Sequence, residues 1–290
     1  MQAILRKINP STDFSFIARI DELPYLYDKW HFHPELEMSY ITKSTGMRFV
    51  GDNIEPFNEG DLILVGANLP HVWKNDAAYF EPNSELTASA QVIQFLPDCF
   101  GKDFLNLKEM ENIKTLFERA KRGLRVTGTT RDEAVKLLTQ LVEKEKGIKR
   151  ITLLLQILEL IAQSHEVIYL SSENFLYSYH GFESAKINEV YEFTLSHYNR
   201  KILIEEVAAI ANMSVSNFCK YFKNRTQKTY IQFLTDIRIS FACHLLIENK
   251  KSIQHIATEC GFHNISNFNR SFKLLKNQNP LDYRKVFIEK

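Results

Sequence analysis

Cysteine is scarce and scattered: Cys99, Cys219, Cys243 and Cys260 form no CxxC pair. That excludes a small secreted scaffold stapled by disulfides, and free thiols in a reducing compartment are expected. Glycine and proline are few, 10 and 8 in 290 residues, which excludes a fibrous or low-complexity chain and leaves a globular one. There is no long apolar run either. The most apolar stretch, Ile151 to Ala162, is too short to span a bilayer, and Met1 to Pro10 carries Arg6 and Lys7 where a secretory signal needs hydrophobic residues. A cytoplasmic protein without a membrane partner is the expectation. Net charge is almost lacking, at +1, but its distribution is uneven. From residue 184 onward there are 16 Lys and Arg against 9 Asp and Glu, and before it 20 against 26. A basic carboxy-terminal segment suits a polyphosphate partner, which the acidic segment would repel.

The length allows two domains of ~100–200 residues each. From about residue 14 to 97 the pattern is of short β-type runs, Glu37 to Thr42, Met47 to Val50, Asp61 to Val65 and Gln91 to Phe95. They are punctuated by Gly46, Gly51-Asp52-Asn53, Asn58-Glu59-Gly60-Asp61 and Asn68-Leu69-Pro70, as a small sandwich or barrel requires. Beyond Asp103 helical periodicity takes over, with Ile113, Leu116 and Phe117 on one stripe. Thr129 or Thr130 with Glu133 reads as a helix start. Leu153, Ile157, Leu160 and Ile161 form an apolar face to be buried either against the chain's own β domain or against a second copy, making a dimer. The expected organisation is 1–102 as a ligand-binding domain, 103–183 as a helical, dimerising connector, and 184–290 as an all-α domain.

The strongest signal is an internal repeat of about 50 residues. Val207-Ala208, Ala211-Asn212-Met213-Ser214, Phe218, Phe222 and Lys223 are matched by Ile256-Ala257, Cys260-Gly261-Phe262-His263, Phe268, Phe272 and Lys273, with one extra residue in the second turn. Each half reads as a short helix, a tight turn and a second helix anchored by a Phe pair at i, i+4, the layout of a helix-turn-helix. With the Phe pairs inward, the ~100° step per residue turns Ser216, Asn217, Lys220 and Lys223 outward in the first unit. In the second it turns out Ser266, Asn267, Asn269, Arg270 and Lys273, with His263 and Asn264 in the turn before them. Short polar side chains mixed with Lys and Arg, without Asp or Glu, are what base-edge and phosphate contacts require. Between the units Tyr230 to Ile247 reads as one helix, on the order of 27 Å long at ~1.5 Å per residue. Such a strut suits two recognition helices placed roughly one DNA turn, ~34 Å, apart.

The stretch Ile253 to Arg284, with Ile256-Ala257, Gly261-Phe262, Phe268, Arg270, Phe272-Lys273, Pro280 and Tyr283-Arg284, resembles the signature of the AraC/XylS transcription regulators. Residues ~185–288 are similar to that family's whole DNA-binding domain. The resemblance implies binding to promoter DNA, often with contact to RNA polymerase, and an attached effector or dimerisation domain. One departure is that the family usually has Gly after each recognition helix, where this chain has Gln227 and Asn277.

In the β region His31, His33, Glu35 and Glu37 share one parity, and His71 follows Pro70. His31, His33, Glu37 and His71 resemble the motifs of the cupin barrel, and Gly60-Asp61 and Asn68-Leu69-Pro70-His71 are similar to the cupin-like sensor domain of many AraC-type proteins. The spacing to Gly46 is longer than in metal cupins, and the usual Gly between Pro and His is missing. Imidazoles and a carboxylate converging in a barrel could ligate Zn²⁺ or Fe²⁺. They could also hydrogen-bond a sugar-like effector, with Trp73, Tyr40 or Arg48 stacking on it or pairing with it, or be structural remnants. The expected whole is a multidomain chain with a cupin-like β-barrel, a helical connector and a double helix-turn-helix. It would be a non-enzymatic, homodimeric, effector-controlled transcription regulator with no obligate cofactor. The alternatives are a constitutive DNA-binding dimer with a structural β domain and a metal-dependent cupin enzyme fused to a DNA-binding domain.

Overall fold

The computed structural model describes residues 4–6, 8, 14–27, 29–143, 146–173, 185–226 and 228–288. Two compact units divide the chain, the first built of Ile4–Asn53 and Phe57–Glu173, the second carried by the residues after 173.

The chain opens with strands β1 (Ile4–Leu5), β2 (Ile17–Leu23), β3 (His31–Phe32), β4 (Leu36–Lys43), β5 (Gly46–Val50), β6 (Asn53–Phe57), β7 (Leu62–Val65), β8 (His71–Asn75) and β9 (Ala88–Phe95). They form a five-stranded sheet, β1-β3-β8-β5-β6, and a larger one that includes β7-β4-β9-β2 in that order. The β runs read from alternation and turn residues therefore lie in strands. At Gly46 the turn is enforced sterically: its φ is +156° and a Cβ there would lie 2.2 Å from the Lys74 carbonyl oxygen.

Helices α1 (Glu111–Ala120), α2 (Gly128–Glu143) and α3 (Ile148–Gln163) follow. They share one core with the larger sheet: Leu36, Met38, Leu64 and Ile93 from the strands pack with Leu116, Leu138, Leu154, Ile157 and Ile161 from the helices. Of the face Leu153, Ile157, Leu160 and Ile161, three residues are thus buried inside their own domain and Leu160 is half-buried against the same core. Two further strands interrupt the helical stretch, β10 (Leu124–Val126) and β11 (Val167–Tyr169), extending the larger sheet beyond β7. Three-residue strands are too short to leave a readable period. The start of α2 is also held differently from the expected capping box. Glu166, not Glu133, accepts from the Thr130 backbone N–H at 2.8 Å and from the Thr129 and Thr130 hydroxyls.

The second unit is helical: α4 (Ala185–His197), α5 (Ile204–Ile210), α6 (Val215–Thr226), α7 (Tyr230–Glu248), α8 (Ile253–Glu259), α9 (Ile265–Lys276) and α10 (Pro280–Ile288). Thr229 starts α7 with a reciprocal cap, its hydroxyl accepting from the Gln232 N–H while the Gln232 side chain accepts from the Thr229 N–H. Asn249 ends the helix at φ 53°. Phe233 and Ile237 of α7 are buried as the i+4 stripe predicts, but Phe241 and Leu245 are only half-buried. Each i+4 step drifts by ~40° around the helix, and the more deeply buried residues toward its end are Ile239, Ala242, Cys243 and Leu246. Among the described residues α7 is the one helix long and apolar enough to cross a membrane, and half of that window is buried.

Candidate DNA interface and buried histidine cluster

The two helix-turn-helix units repeat atom by atom in their turns. In the first, Asn212 N–H donates to the Ala209 carbonyl and Met213 N–H to Ala208. In the second, Gly261 N–H donates to Thr258 and Phe262 N–H to Ala257, the same pattern 49 residues on. Asn212 and Gly261 occupy the same left-handed position, at φ 55° and 80°, which Asn tolerates better than most residues and Gly without cost. Phe218, Phe222, Phe268 and Phe272 are fully buried, packing edge to face with Tyr230 in the first unit and with Phe262 and Tyr283 in the second.

With those rings inward, Ser216, Asn217, Lys220 and Lys223 of α6 are exposed, as are His263, Asn264, Ser266, Asn267, Asn269, Arg270 and Lys273 at α9. Asn264 has a prior task, since its side-chain oxygen caps α9 by accepting from the Ser266 and Asn267 N–H groups at 2.8 and 3.2 Å. Arg270 donates to Asn267 Oδ1 at 3.1 Å, which aligns two polar side chains on the outer face. Asn277 ends α9 in the left-handed conformation at φ 56°, a position that glycine most often takes. Gln227 lies outside the described residues.

In the β domain His31 and His71 are direct partners across the β3–β8 pair. Glu37 projects from β4 of the other sheet, and His33 lies between. The four are buried, with one ligand atom from each within 4.8 Å of the others. Each imidazole is fixed through Nδ1 by a backbone carbonyl: His31 by Lys29 at 2.8 Å, His33 by Glu35 at 3.1 Å, His71 by Leu69 at 2.7 Å. A carbonyl only accepts, so each ring donates from Nδ1, and the neutral rings of His31 and His71 present Nε2 as a lone pair. Among the described residues Nε2 of His31 and of His71 has no hydrogen-bond partner. His33 Nε2 lies within hydrogen-bond distance of Glu37 Oε2, at 3.2 Å.

Burial, with the neighbouring imidazoles, lowers His31 to about 2 and His71 to about 4, so both are neutral at pH 7. Burial opposes the charge on Glu37 as well, but the His33 hydrogen bond and the surrounding imidazoles hold its carboxyl well below the usual range. Gln94 Nε2 donates to Glu37 Oε2 at 2.6 Å and Ser39 Oγ to Oε1 at 2.8 Å. Arg19 donates to Gln94 Oε1 in turn.

Beside the cluster is a cavity of about 40 Å³, room for roughly three water molecules. His31, Glu37 and Trp73 line it, but Tyr40 and Arg48 do not. Tyr40 has the opposite parity to Glu37 on β4 and packs toward the helices. Arg48 is fully buried with Nη1 3.5 Å from Asp61 Oδ2. Sequence reading missed Arg6, Arg19, Tyr27 and Ser39 in the lining and Gln94 behind it. Ser39 shares the parity of Glu37 and was within reach of the alternation argument; Arg6 and Tyr27 carry no periodic signal.

The helix-turn-helix domain family matches residues 207–286. An uncharacterised helix-turn-helix-type transcriptional regulator of Bacillus subtilis, YdeC, is 22% identical over 90% of this chain and 87% of its own length. The transcriptional activator RhaR of Mannheimia succiniciproducens is 22% identical over 93% of this chain and 95% of its own. A crystal structure of the DNA-binding domain of AdpA, a global transcriptional factor, in complex with a target DNA is 28% identical. It covers 34% of this chain and 89% of its own, with a TM-score of 0.33.

Proposed function

We propose that the chain is a DNA-binding transcription regulator of the AraC family whose amino-terminal domain senses a divalent cation and thereby sets promoter occupancy by the helix-turn-helix pair. The observation that carries the reading is the common orientation of the three imidazoles, Nδ1 on a backbone carbonyl and Nε2 inward. It is the arrangement by which outer hydrogen bonds orient metal-binding histidines. Two unpartnered Nε2 lone pairs, on His31 and His71, beside a carboxylate call for a cation. A sugar would offer hydroxyl donors, but the cavity of about 40 Å³ is far below the ~300 Å³ at which small-molecule pockets begin.

His31, His33 and His71 through Nε2 and Glu37 through its carboxylate would hold the ion, whose charge neutralises Glu37. The neutral imidazoles of His31 and His71 need shed no proton first. DNA contacts are assigned to Ser216, Asn217, Lys220 and Lys223 and, in the second unit, to His263, Ser266, Asn267, Asn269, Arg270 and Lys273, with Asn264 as the cap. A homodimer acting in the cytoplasm, with RNA polymerase as a further partner, completes the reading. Its regulatory step is linkage: the ion shifts DNA occupancy only by its differential affinity for the free and DNA-bound states.

Equilibrium dialysis of chelator-treated protein against Zn²⁺ or Mn²⁺ is expected to give about one ion per chain, lost in His71→Ala and Glu37→Gln. Uptake below roughly a tenth of an ion would end the cation reading.

Cys219 gives a separate probe of the DNA face. It is exposed on α6 next to Lys220, whereas Cys243 and Cys260 are buried, their thiols pushed up by burial to about 11 and about 12, and Cys99 is half-buried at about 11. Iodoacetamide should therefore modify Cys219 first. Bound DNA should slow that reaction about tenfold, read by peptide mass spectrometry; an unchanged rate would place α6 away from the duplex.

A further inference from the structure

The two helix-turn-helix units share α7, but a single helix between two small cores leaves each unit free to rock about it. A second attachment exists. Arg238, midway along α7, donates from Nε to the Tyr198 carbonyl and from Nη2 to the Arg200 carbonyl, both at 2.8 Å. These carbonyls lie in the loop just after α4, where unsatisfied carbonyls and the helix dipole favour a cation. The Tyr198 ring lies flat on Phe241 of α7, centroids 4.0 Å apart and planes at 7°.

The same loop is gripped from both units. On the first-unit side Arg200 makes a two-pronged contact with Glu206 of α5, at 3.2 and 2.8 Å, and Glu206 also accepts from the Leu203 N–H. On the second-unit side the turn before α9 is pressed against the loop. A Cβ on Gly261 would lie 2.5 Å from the Tyr198 carbonyl oxygen and 2.9 Å from Arg238 Nε. The Arg238 guanidinium also stands 5.8 Å from the centroid of Phe262. The residue that caps the first unit's loop thus touches the turn that launches the second unit's recognition helix.

We infer that Arg238 is a positioning residue for DNA recognition: by clamping the 198–200 loop against α7 and the Gly261 turn, it fixes α6 and α9 in one relative orientation, so that the chain reads two DNA segments at one set spacing. It is not assigned to the DNA contacts. Its effect is to keep the effective concentration of the second unit high once the first is seated, which depends on holding the geometry that the duplex demands. A loosened clamp would lower affinity at the correct spacing and make other spacings less unfavourable.

The test uses the full chain and a duplex that the wild-type protein selects from random-sequence DNA, with variants carrying insertions of about two and about five base pairs between the two contacted segments, up to half a helical turn. Wild type is expected to lose about a hundredfold in affinity on the longer insertion, and Arg238→Gln about tenfold on the selected duplex but under about threefold more on the insertions. Arg238→Lys, which keeps the charge and one donor, should recover part of the spacing discrimination. Thermal melting by circular dichroism checks that the variants are folded, and should Arg238→Gln fail to fold, the milder Arg238→Lys carries the comparison with wild type. A uniform loss with the steep spacing profile intact would reduce Arg238 to a stabilising residue and overturn the inference. So would an Arg238→Lys profile identical to wild type combined with a steep Arg238→Gln profile.

Discussion

Replacing Lys220 and Arg270 together with alanine is expected to weaken binding to a selected DNA site by roughly 10²- to 10⁴-fold, at about 1–3 kcal/mol for each good contact. The two occupy the same place in the repeat, two residues after Phe218 and Phe268, and both are exposed while those rings are fully buried. Arg270 has the better-defined geometry, because Asn267 Oδ1 holds its guanidinium at 3.1 Å. If both contact phosphate, the salt dependence of binding should lose a slope of about two. If Arg270 reads a base edge, its single variant should relax preference at one position and leave the salt slope nearly unchanged. Titration by fluorescence anisotropy at several salt concentrations separates these cases. Undiminished affinity in the double variant would remove α6 and α9 as recognition helices.

Acidification should destabilise the metal-free protein strongly. His31 and His71 have folded-state values of about 2 and about 4, against 6.5 for an open histidine. The unfolded chain therefore binds protons more readily, and the stability present above pH 6.5 is lost as the pH falls toward those lower values. At pH 5 the loss is about 2 kcal/mol per imidazole, roughly 4 kcal/mol for the pair, from 1.36 kcal/mol per pH unit. Glu37, held low as well, acts in the same direction at still lower pH. Urea unfolding at pH 7 and pH 5 measures the difference, and the double variant His31→Asn, His71→Asn should flatten it. A midpoint that stays constant, or rises, on acidification would contradict the buried neutral imidazoles.

The helix-turn-helix pair was legible because its signal is redundant: two copies of an aromatic pair, a left-handed turn residue and an outward polar face agree in phase. The strands around Glu37 and Gln91 were legible from alternation and turn residues. The His–Glu set was legible as residue types at one parity, and the fold brings all four together. What escaped was information that one strand cannot carry. Arg48 is taken by Asp61, ahead of another strand, whereas the opposite parity of Tyr40 and Glu37 on β4 was open to alternation. Gln94 meets Glu37 only through the β4–β9 register, and Glu166 reaches the start of α2 across 36 residues. The small cavity was equally invisible in sequence, since it depends on how closely the sheets approach.

The central helix α7 has a consequence for how the DNA-binding domain comes apart. Its first half closes one aromatic core through Phe233, stacked on Tyr191, and Tyr230, edge to face with Phe222, and its second half closes the other through Ile239, Cys243 and Leu246. Neither unit has a complete apolar interior without this helix, and the helix has no reason to persist once either face is stripped. The two reading heads are therefore one cooperative folding unit. Damage to the interior of one is felt by the other as a loss of population, even where every exposed side chain of α6 and α9 is intact.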